Sequence, residues 1–474
     1  MVFSSIIFLF AFLPVFLGCY FLLPARYRNL WVVLGSYAFY AWWRVDFLLL
    51  LVAVTALNYV VGLRIAAAHA ADSLATARRW MGLGVAVDLA VLGYFKYANF
   101  GVDSFNLLLT SSGLPAFDLA HVILPIGISF YIFQAISYLV DVYRRDTEAA
   151  TKLTDFAAFI ALFPQLIAGP VLRYKDLAPQ IRQRSVDAEM FGEGANRFMI
   201  GFVKKVLIAD SVAPLVDAGF ALEQPSMADA WLTTLAYTVQ LYFDFSGYTD
   251  MAIGLGMMMG FRFMENFRQP YVSQSITEFW RRWHISLSTW LKDYLYVPLG
   301  GNRRGPVRTY INLLLTMLLG GLWHGANWTF LIWGAWHGLI LAVERVLGVR
   351  AEAQGFRVHR WAFTFLLVML GWVVFRAESL SQAGALYGAM IGLGERGLSN
   401  SFVLQIGYFN LAALVLGLVV LVFGAARERL PALQQPWAGT VAARAGSLLA
   451  APVFLAAVLK LSADQYSPFL YFQF

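Results

Sequence analysis

The stretch GGLWHGANW, residues 320 to 328, lies inside a long apolar segment that runs from Tyr310 to Val343. Arg308 and Arg345 border this segment, and fewer residues lie between them than the about 40 that two complete membrane crossings need. By the positive-inside rule, both arginines are expected on the same, cytoplasmic side of the membrane. The spacing therefore predicts a short helical hairpin whose turn, Gly320 to Asn327, does not reach the far surface of the bilayer.

His324 lies in this predicted turn, so it would be inside the membrane, at the base of a funnel. An ionisable side chain at that depth is costly and typically marks a functional site. A neutral imidazole can take the proton from an attacking hydroxyl and contribute about 10²- to 10⁴-fold to a rate. The alternative is a structural histidine that hydrogen-bonds a neighbouring helix. We favour the structural interpretation for His337, which follows in the motif WHG.

The composition extends the membrane interpretation to the whole chain. Hydrophobic residues make up 60% of the 474 residues and charged residues 13%, far from the balance of a soluble protein. This length has room for roughly ten to twelve helices of about 20 residues each. We predict an all-α polytopic membrane protein with one integral domain, residues 1–474. It would comprise N-terminal spans (1–145), a core with re-entrant, interfacial and histidine-bearing helices around a central funnel (146–345), and C-terminal spans (346–474).

The basic residues are distributed among loops rather than gathered in one patch. The net charge is +7, and the loops between the first predicted spans alternate between basic ones and ones with few cations. The basic loops contain Arg26, Arg28, Arg64, Arg78, Arg79, Arg144 and Arg145. By the positive-inside rule these loops are cytoplasmic, so the N-terminus and the C-terminal LYFQF tail (470–474) are expected to be periplasmic. Membrane topology thus explains the charge, and we expect no nucleic-acid partner.

Several apolar segments predict ordinary spans, and two segments are irregular. Phe156–Val171 is interrupted by prolines and a glycine and predicts a re-entrant segment, which is tolerated at membrane depth only inside protein or beside a water-filled cavity. Ala230–Phe261 is too long for a simple crossing, and we predict an interruption at Phe245–Tyr248. The predicted spans are Phe3–Leu23, Leu30–Trp43, Phe47–Ala67, Met81–Tyr94, His121–Tyr143, Phe198–Ala218, Trp361–Phe375, Val403–Phe423 and Ala443–Leu461.

The segment Thr277–Tyr294 has a different pattern. On a helical wheel its tryptophans share one face with leucines, and its charged residues occupy the other. This pattern predicts one helix lying along the cytoplasmic membrane surface. His284 falls within the apolar arc, where it is either satisfied against the protein core or faces a buried reaction path.

Two further groups of residues are candidates for a site. Asp244 and Asp250 are predicted to lie at membrane depth, where they would satisfy the interrupted backbone around Ser246 and Gly247. The loop PLGGNRRG, with Asn302, Arg303 and Arg304, could hold the phosphates of a nucleotide, although we favour the interpretation as a basic loop that sets the topology.

Other catalytic and metal-binding patterns find little support. The sequence has neither a serine-hydrolase elbow nor a nucleotide-binding glycine loop of the common types. Zinc would have to bind through His284, His324 and His337 without the usual H-E-x-x-H helix, so we expect no metal. The lone cysteine, Cys19, excludes disulfides.

Three motifs together resemble the membrane-bound O-acyltransferase (MBOAT) family: RRWHISLS with His284, LGGNRRG, and GGLWHGANW with His324. The two hallmark histidines of that family match His284 and His324. The similarity extends over essentially the whole chain, and it is greatest to members that serve O-acetylation of the exopolysaccharide alginate. Related systems that acetylate peptidoglycan or other polymers share the LGGNR and WHG segments.

This resemblance implies an MBOAT-like fold and an enzyme of the bacterial inner membrane. It implies transfer of acetyl groups from a cytoplasmic donor, acetyl-CoA, across the bilayer, with periplasmic acetyltransferase partners completing the modification. His324 would be the general base, and His284 would orient or line the donor path. Trp323 and Asn327 would support the site, and membrane lipids would surround it. No permanently bound cofactor is expected.

Two other classes of function remain open at this point. D-alanyl transfer to teichoic acid is a related activity in the same family, and cellulose or peptidoglycan could replace alginate. A transporter or scaffold for polymer export is the non-enzymatic alternative, in which the buried histidines would serve proton coupling.

Overall fold

The computed structural model describes residues 1–349, 355–429, 436–464 and 469. Within these ranges the secondary structure is helical throughout, without a β-strand. The LYFQF tail, for which we predict a periplasmic location, lies outside the described residues. The predicted all-α class is confirmed.

The first part of the chain contains eight α-helices, preceded by a π-helical turn at Phe8–Phe12. They are α1 Leu13–Leu22, α2 Ala25–Ala41, α3 Val45–Ala70, α4 Leu74–Ser111, α5 Ile128–Arg144, α6 Leu153–Ala161, α7 Phe163–Leu166 and α8 Tyr174–Arg182. Most of the predicted spans correspond to one of these helices. The predicted span Met81–Tyr94 is only part of α4, which continues without a break to Ser111.

The second part of the described chain contains twelve α-helices. They are α9 Ala188–Val203, α10 Asp210–Phe220, α11 Met227–Met258, α12 Ile276–Arg282, α13 Ile285–Leu291, α14 Gly305–His324, α15 Trp328–Val346, α16 Val358–Arg376, α17 Leu380–Met390, α18 Asn400–Val403, α19 Tyr408–Arg429 and α20 Pro436–Asp464. The π-helical turns Lys204–Ala209 and Lys292–Tyr296 follow α9 and α13, and a 3₁₀ turn lies at Pro270–Val272.

These helices form two compact units. The N-terminal unit consists of residues 1, 7–194 and 255–264, and the C-terminal unit of residues 2–6, 195–254 and 265–474. His284 and His324 both belong to the C-terminal unit, so the candidate site can be described within that unit alone.

Four of the described helices are long and apolar enough to cross a membrane by length and composition. They are α3, α4, α16 and residues Tyr408–Glu428 of α19. Two shorter apolar helical stretches are Phe8–Leu22, which comprises the π-helical turn and α1, and Leu449–Ala463 within α20. These helices agree with a polytopic membrane protein, and the total number of spans and the central funnel stay predictions.

The segment predicted to be re-entrant forms two short helices, α6 and α7, instead of one long helix. Nearly every residue from Phe156 to Leu172 is buried. Between the two helices, the backbone N–H of Phe163 donates to the hydroxyl of Ser36 at 3.1 Å. This interrupted backbone is therefore covered by protein, as irregular backbone at membrane depth requires.

The predicted interruption of α11 at Phe245–Tyr248 is wrong, because the helix is continuous. Gly247 instead permits a close helix contact. A Cβ atom at Gly247 would lie 2.7 Å from the carbonyl oxygen of Gly201 in α9, and one at Gly201 would lie 2.5 Å from the carbonyl oxygen of Gly247. The small residue here serves packing between two helices rather than the ending of one.

The single surface helix predicted at Thr277–Tyr294 is also wrong. The segment is divided into α12 and α13 because His284 adopts a left-handed conformation, with φ 45° and ψ 53°. Trp283 and Trp290 are buried inside the protein, with 2% and 6% of their surface exposed. The Trp-rich face therefore packs against protein, which an isolated helical wheel cannot distinguish from packing against lipid.

The two helices of the predicted hairpin are α14 and α15, joined by the turn at residues 325–327. The depth of this turn in the membrane stays a prediction. Glycines let the two helices approach closely. A Cβ atom at Gly321 would lie 2.2 Å from the carbonyl oxygen of Phe330, and one at Gly334 would lie 2.3 Å from that of Met317. This close packing fixes the end of α14, where His324 is the last residue.

Candidate active site

His324 is held at the C-terminal end of α14 by aromatic side chains. Its residue is 4% exposed, and its ring centroid lies 5.1 Å from those of Trp323 and Trp333 and 5.3 Å from that of Phe375. Phe375 comes from α16 and Trp333 from α15, so three helices enclose the imidazole. The surroundings are apolar and nearly dry, which strengthens electrostatic interactions with any group that reaches the ring.

His284 comes from the break between α12 and α13 and is fully buried. Its ring centroid lies 6.2 Å from that of His324, 5.8 Å from that of Trp323 and 4.8 Å from that of Phe245. The fold thus brings together the two histidines that the sequence motifs single out. Trp323 contacts both rings and is itself 3% exposed.

Burial lowers the pKa of His284 to about 3, because the buried ring cannot easily carry a charge. The imidazole is therefore neutral near pH 7. A neutral imidazole has one nitrogen that donates a hydrogen bond and one that accepts.

His337 lies on α15 in an aromatic enclosure. It is fully buried, and its ring centroid lies 5.0 Å from that of Trp333, 5.3 Å from that of Trp280 and 6.2 Å from that of Phe279. Neither ring nitrogen has a hydrogen-bond partner within the described part of the chain. The ring of Trp333 therefore contacts both His324 at the candidate site and His337.

A metal centre finds no support in the described residues. No group of three or more His, Cys, Asp or Glu side chains among them is arranged to hold a metal ion.

We expected Asp244 and Asp250 to satisfy an interrupted backbone. This prediction is wrong, because α11 is continuous. The two aspartates form ion pairs with the segment that precedes α10. Lys205 Nζ lies 2.6 Å from an Asp244 oxygen, and Lys204 Nζ lies 2.6 Å from an Asp250 oxygen. Arg197 also reaches Asp250, at 2.9 Å. The π-helical turn that begins at Lys204 lies at the point where these adjacent lysines meet two carboxylates on α11.

The basic loop between α13 and α14 exposes Asn302, Arg303 and Arg304. The hydroxyl of Tyr296 donates to Asn302 Oδ1. Asn312 of α14 fastens the loop, since its amide donates to the carbonyl oxygen of Gly301 at 3.1 Å. Both arginine side chains are thus accessible to a charged ligand, and their role in donor binding stays a prediction.

Asn327 has a local structural role in the turn after His324. Its side-chain oxygen accepts from the backbone N–H of Thr329 at 3.1 Å and caps α15, and its amide donates to the carbonyl oxygen of Glu378 at 3.0 Å. Such capping stabilises a helix start. Asn327 therefore supports the site by holding the turn.

Sequence reasoning missed Asn266, which lies in the loop before α12. It is fully buried, and its side chain contacts His284 and Ser286. It lies between charged residues, in MENFR, where the sequence pattern gives no sign of a buried side chain.

Comparison with known proteins identifies the family of the chain. Residues 116–382, which include both histidines, match the family model described as MBOAT, membrane-bound O-acyltransferase family. The protein named "Probable alginate O-acetylase AlgI" from Pseudomonas putida is 60% identical over 487 residues, with 100% of both chains covered.

Two more distant relatives share parts of the chain. The peptidoglycan O-acetyltransferase of Helicobacter pylori is 41% identical, with 83% of this chain and 80% of that protein covered. The teichoic acid D-alanyltransferase of Bacillus subtilis is 28% identical, with 53% of this chain and 69% of that protein covered. The chain is a multi-pass membrane O-acyltransferase and belongs to the membrane-bound O-acyltransferase family.

Proposed function

We propose that this O-acyltransferase takes acetyl groups from acetyl-CoA on the cytoplasmic side of the inner membrane and passes them across the bilayer for O-acetylation of alginate in the periplasm. The observation that carries the choice of polymer is the 60% identity, over the whole length of both chains, to a protein named as an alginate O-acetylase. The peptidoglycan O-acetyltransferase is less similar, at 41%. The two histidine rings, whose centroids lie 6.2 Å apart, support the chemistry.

In this proposal His324 is the general base. It takes the proton of the acceptor hydroxyl while the hydroxyl oxygen forms a bond to the acetyl carbonyl carbon. The bond between that carbon and the CoA sulfur then breaks, and the proton passes to the thiolate that leaves. The immediate acceptor is a hydroxyl of the polymer or of a periplasmic acetyltransferase partner.

The proposed orientation rests on the distribution of arginines. Arg78, Arg79 and the loop with Arg303 and Arg304 would be cytoplasmic, and the N-terminus periplasmic. A donor that carries phosphates would then meet the exposed arginines from the cytoplasm, since guanidinium groups bind phosphates through paired hydrogen bonds.

Reversing the charge of this loop should weaken donor binding. We expect Arg303→Glu/Arg304→Glu to raise the apparent KM for acetyl-CoA about tenfold, with kcat little changed, because charge-assisted contacts to phosphates are lost. CoA release by inside-out membrane vesicles, which expose the cytoplasmic face to added acetyl-CoA, measures both constants.

The matched control is Arg78→Glu/Arg79→Glu, which reverses two exposed arginines on the same predicted side. An unchanged KM in the loop variant would leave the loop with a role in topology only. Turnover of added acetyl-CoA by sealed right-side-out vesicles would contradict the proposed orientation.

The polymer can be tested in an alginate-producing bacterium that lacks its own alginate O-acetylase. We expect expression of this chain to restore acetyl esters on secreted alginate, measured by NMR of the purified polymer. Esters on peptidoglycan or cellulose instead would reassign the polymer, and D-alanyl esters would reassign the donor. Restored secretion of alginate without esters would favour the transporter alternative.

A further inference from the structure

Asn266 connects the loop before α12 to the break that contains His284. Its backbone oxygen accepts from the N–H of Ile285 at 3.0 Å. Its side-chain oxygen accepts from the backbone N–H of Ser286 at 3.2 Å and from the Ser286 hydroxyl at 2.9 Å. One asparagine therefore holds the backbone just after the left-handed residue His284.

These contacts fix which way the Asn266 amide points. A backbone N–H can only donate, so the amide atom that faces Ser286 must be the oxygen and not the nitrogen. The amide nitrogen then lies 3.5 Å from the hydroxyl oxygen of Thr249, which can accept. The orientation follows from hydrogen-bond chemistry, which is how amide groups are assigned.

The same oxygen lies 3.2 Å from Nδ1 of His284. Because an oxygen of this kind can only accept, Nδ1 must carry the ring proton. In a neutral imidazole the other nitrogen, Nε2, then has a lone pair and no proton. The backbone N–H of Ser286 thus orients the Asn266 amide, and the amide oxygen in turn determines the tautomer of His284.

Nε2 of His284 is buried and has no hydrogen-bond partner within the ranges of the chain that the structure describes. A buried acceptor without a partner costs free energy, so such atoms in a folded protein call for an explanation. The ring lies beside Phe245, Phe267, Trp323 and His324, of which His324 is titratable. The lone pair of Nε2 is therefore unused by the described residues around it.

We propose that Asn266 is a positioning residue that holds His284 as the Nδ1–H tautomer, so that Nε2 accepts a hydrogen bond from an O–H or N–H group of the substrates. His284 then cannot donate a proton to the thioester carbonyl from Nε2. The part of this inference that concerns substrates rests on the proposed acyl transfer. The part that concerns the tautomer does not.

The tautomer can be measured without any activity. Purified protein with ¹⁵N-labelled histidine should show a histidine with its proton on Nδ1, and that signal should be absent from His284→Gln. In Asn266→Ala the His284 proton should move to Nε2 or exchange between the two nitrogens. A wild-type His284 with its proton on Nε2 would overturn the inference, even if acyl transfer proceeds as proposed.

The pH dependence of the rate provides a second readout. Asn266→Asp keeps an oxygen opposite Nδ1 but adds a negative charge, which favours the protonated ring and raises the pKa of His284. If Nε2 must be unprotonated, Asn266→Asp should lose kcat over the pH range in which the ¹⁵N signal shows His284 protonated, whereas wild type, with a neutral His284, should keep it. Full kcat at a pH where His284 of folded Asn266→Asp is protonated would refute the proposed role of Nε2.

Asn266→Ala should lower kcat about tenfold, which corresponds to about 1.4 kcal/mol, with a smaller change in KM. Asn58→Ala is the control, since Asn58 is equally buried and its amide donates to Asp88 within the N-terminal unit. It should lower the yield of folded protein without moving the pH profile.

If Asn266→Ala does not fold, the tautomer of His284 in wild type and the pH dependence of kcat in Asn266→Asp still test the role of Asn266. Absence of acyl transfer in wild type, with the Nδ1–H tautomer present, would reject the proposed function and leave the tautomer intact.

Discussion

His324→Gln should abolish O-acetylation of alginate while the protein still inserts into the membrane and the polymer is still secreted. Glutamine can form hydrogen bonds but cannot accept a proton near neutral pH. Loss of a general base costs about 10²- to 10⁴-fold in rate. The acetyl content of the polymer from a complemented strain, measured beside the amount of protein in the membrane, tests this expectation.

Glutamine is a sharper test than alanine. The ring of His324 packs against Trp333 and Phe375, so alanine would leave a cavity between large aromatic side chains. His337→Gln is the matched control, because His337 is a second buried histidine beside the same Trp333. Normal acetylation in His324→Gln would make His324 structural, and loss of polymer export along with acetylation would favour a transporter.

Lys205→Met should destabilise the C-terminal unit strongly. Lys205 and Asp244 are both 2% exposed in their side chains, and a second carboxylate, Asp210, lies 2.5 Å from the same ammonium group. Methionine keeps much of the volume but leaves buried negative charge without its lysine. Removing one partner of a buried ion pair typically costs about 3 to 5 kcal/mol. The thermal unfolding midpoint in detergent measures the loss.

A second substitution separates charge from packing. Lys205→Met/Asp244→Asn removes the lysine together with the more deeply buried of its two carboxylates, so it should recover part of the stability. The control is Arg44→Met, since Arg44 and Asp46 form an exposed pair with side-chain exposures of 39% and 52%. We expect little change there. Equal unfolding midpoints for Lys205→Met and wild type would show that the ion pairs do not stabilise the unit.

The sequence predicts those parts of the fold that depend on local patterns. The hairpin around His324 follows from the spacing of Arg308 and Arg345, and the buried, interrupted segment after Phe156 follows from its prolines and glycine. Both patterns are short-range, because they depend on span length and on residues that end helices.

The parts that could not be predicted depend on contacts between distant residues. Gly247 has the composition of a helix break, but its contact with Gly201 shows a packing role. The left-handed conformation of His284 is unusual for a residue other than glycine. It is accompanied by hydrogen bonds that His284 and Ser286 donate to Asn266, a residue of a separate loop. A helical wheel of Thr277–Tyr294 contains none of this information.

In the candidate site, too, local sequence patterns predict some features, and contacts between distant residues determine the others. The motifs select His284 and His324, but their separation of 6.2 Å depends on how α12 to α16 pack. The sequence predicts that Asp244 and Asp250 lie at membrane depth, but their lysine partners lie on a different segment of the chain, which the local pattern does not reveal. Lys204 and Lys205 look like an ordinary basic pair in the sequence, and only their ion pairs with carboxylates of α11 show that they are structural.

Purified protein in liposomes, supplied with acetyl-CoA labelled in the acetyl group, tests the central claim most directly. With polymannuronate and the periplasmic partner proteins present, wild type should release CoA and transfer label to the acceptor. His324→Gln, matched for folded protein, should do neither above background. Equal transfer of label by the two proteins would contradict the assignment of His324 as the base, and polymer transport without CoA release would contradict acyl transfer itself.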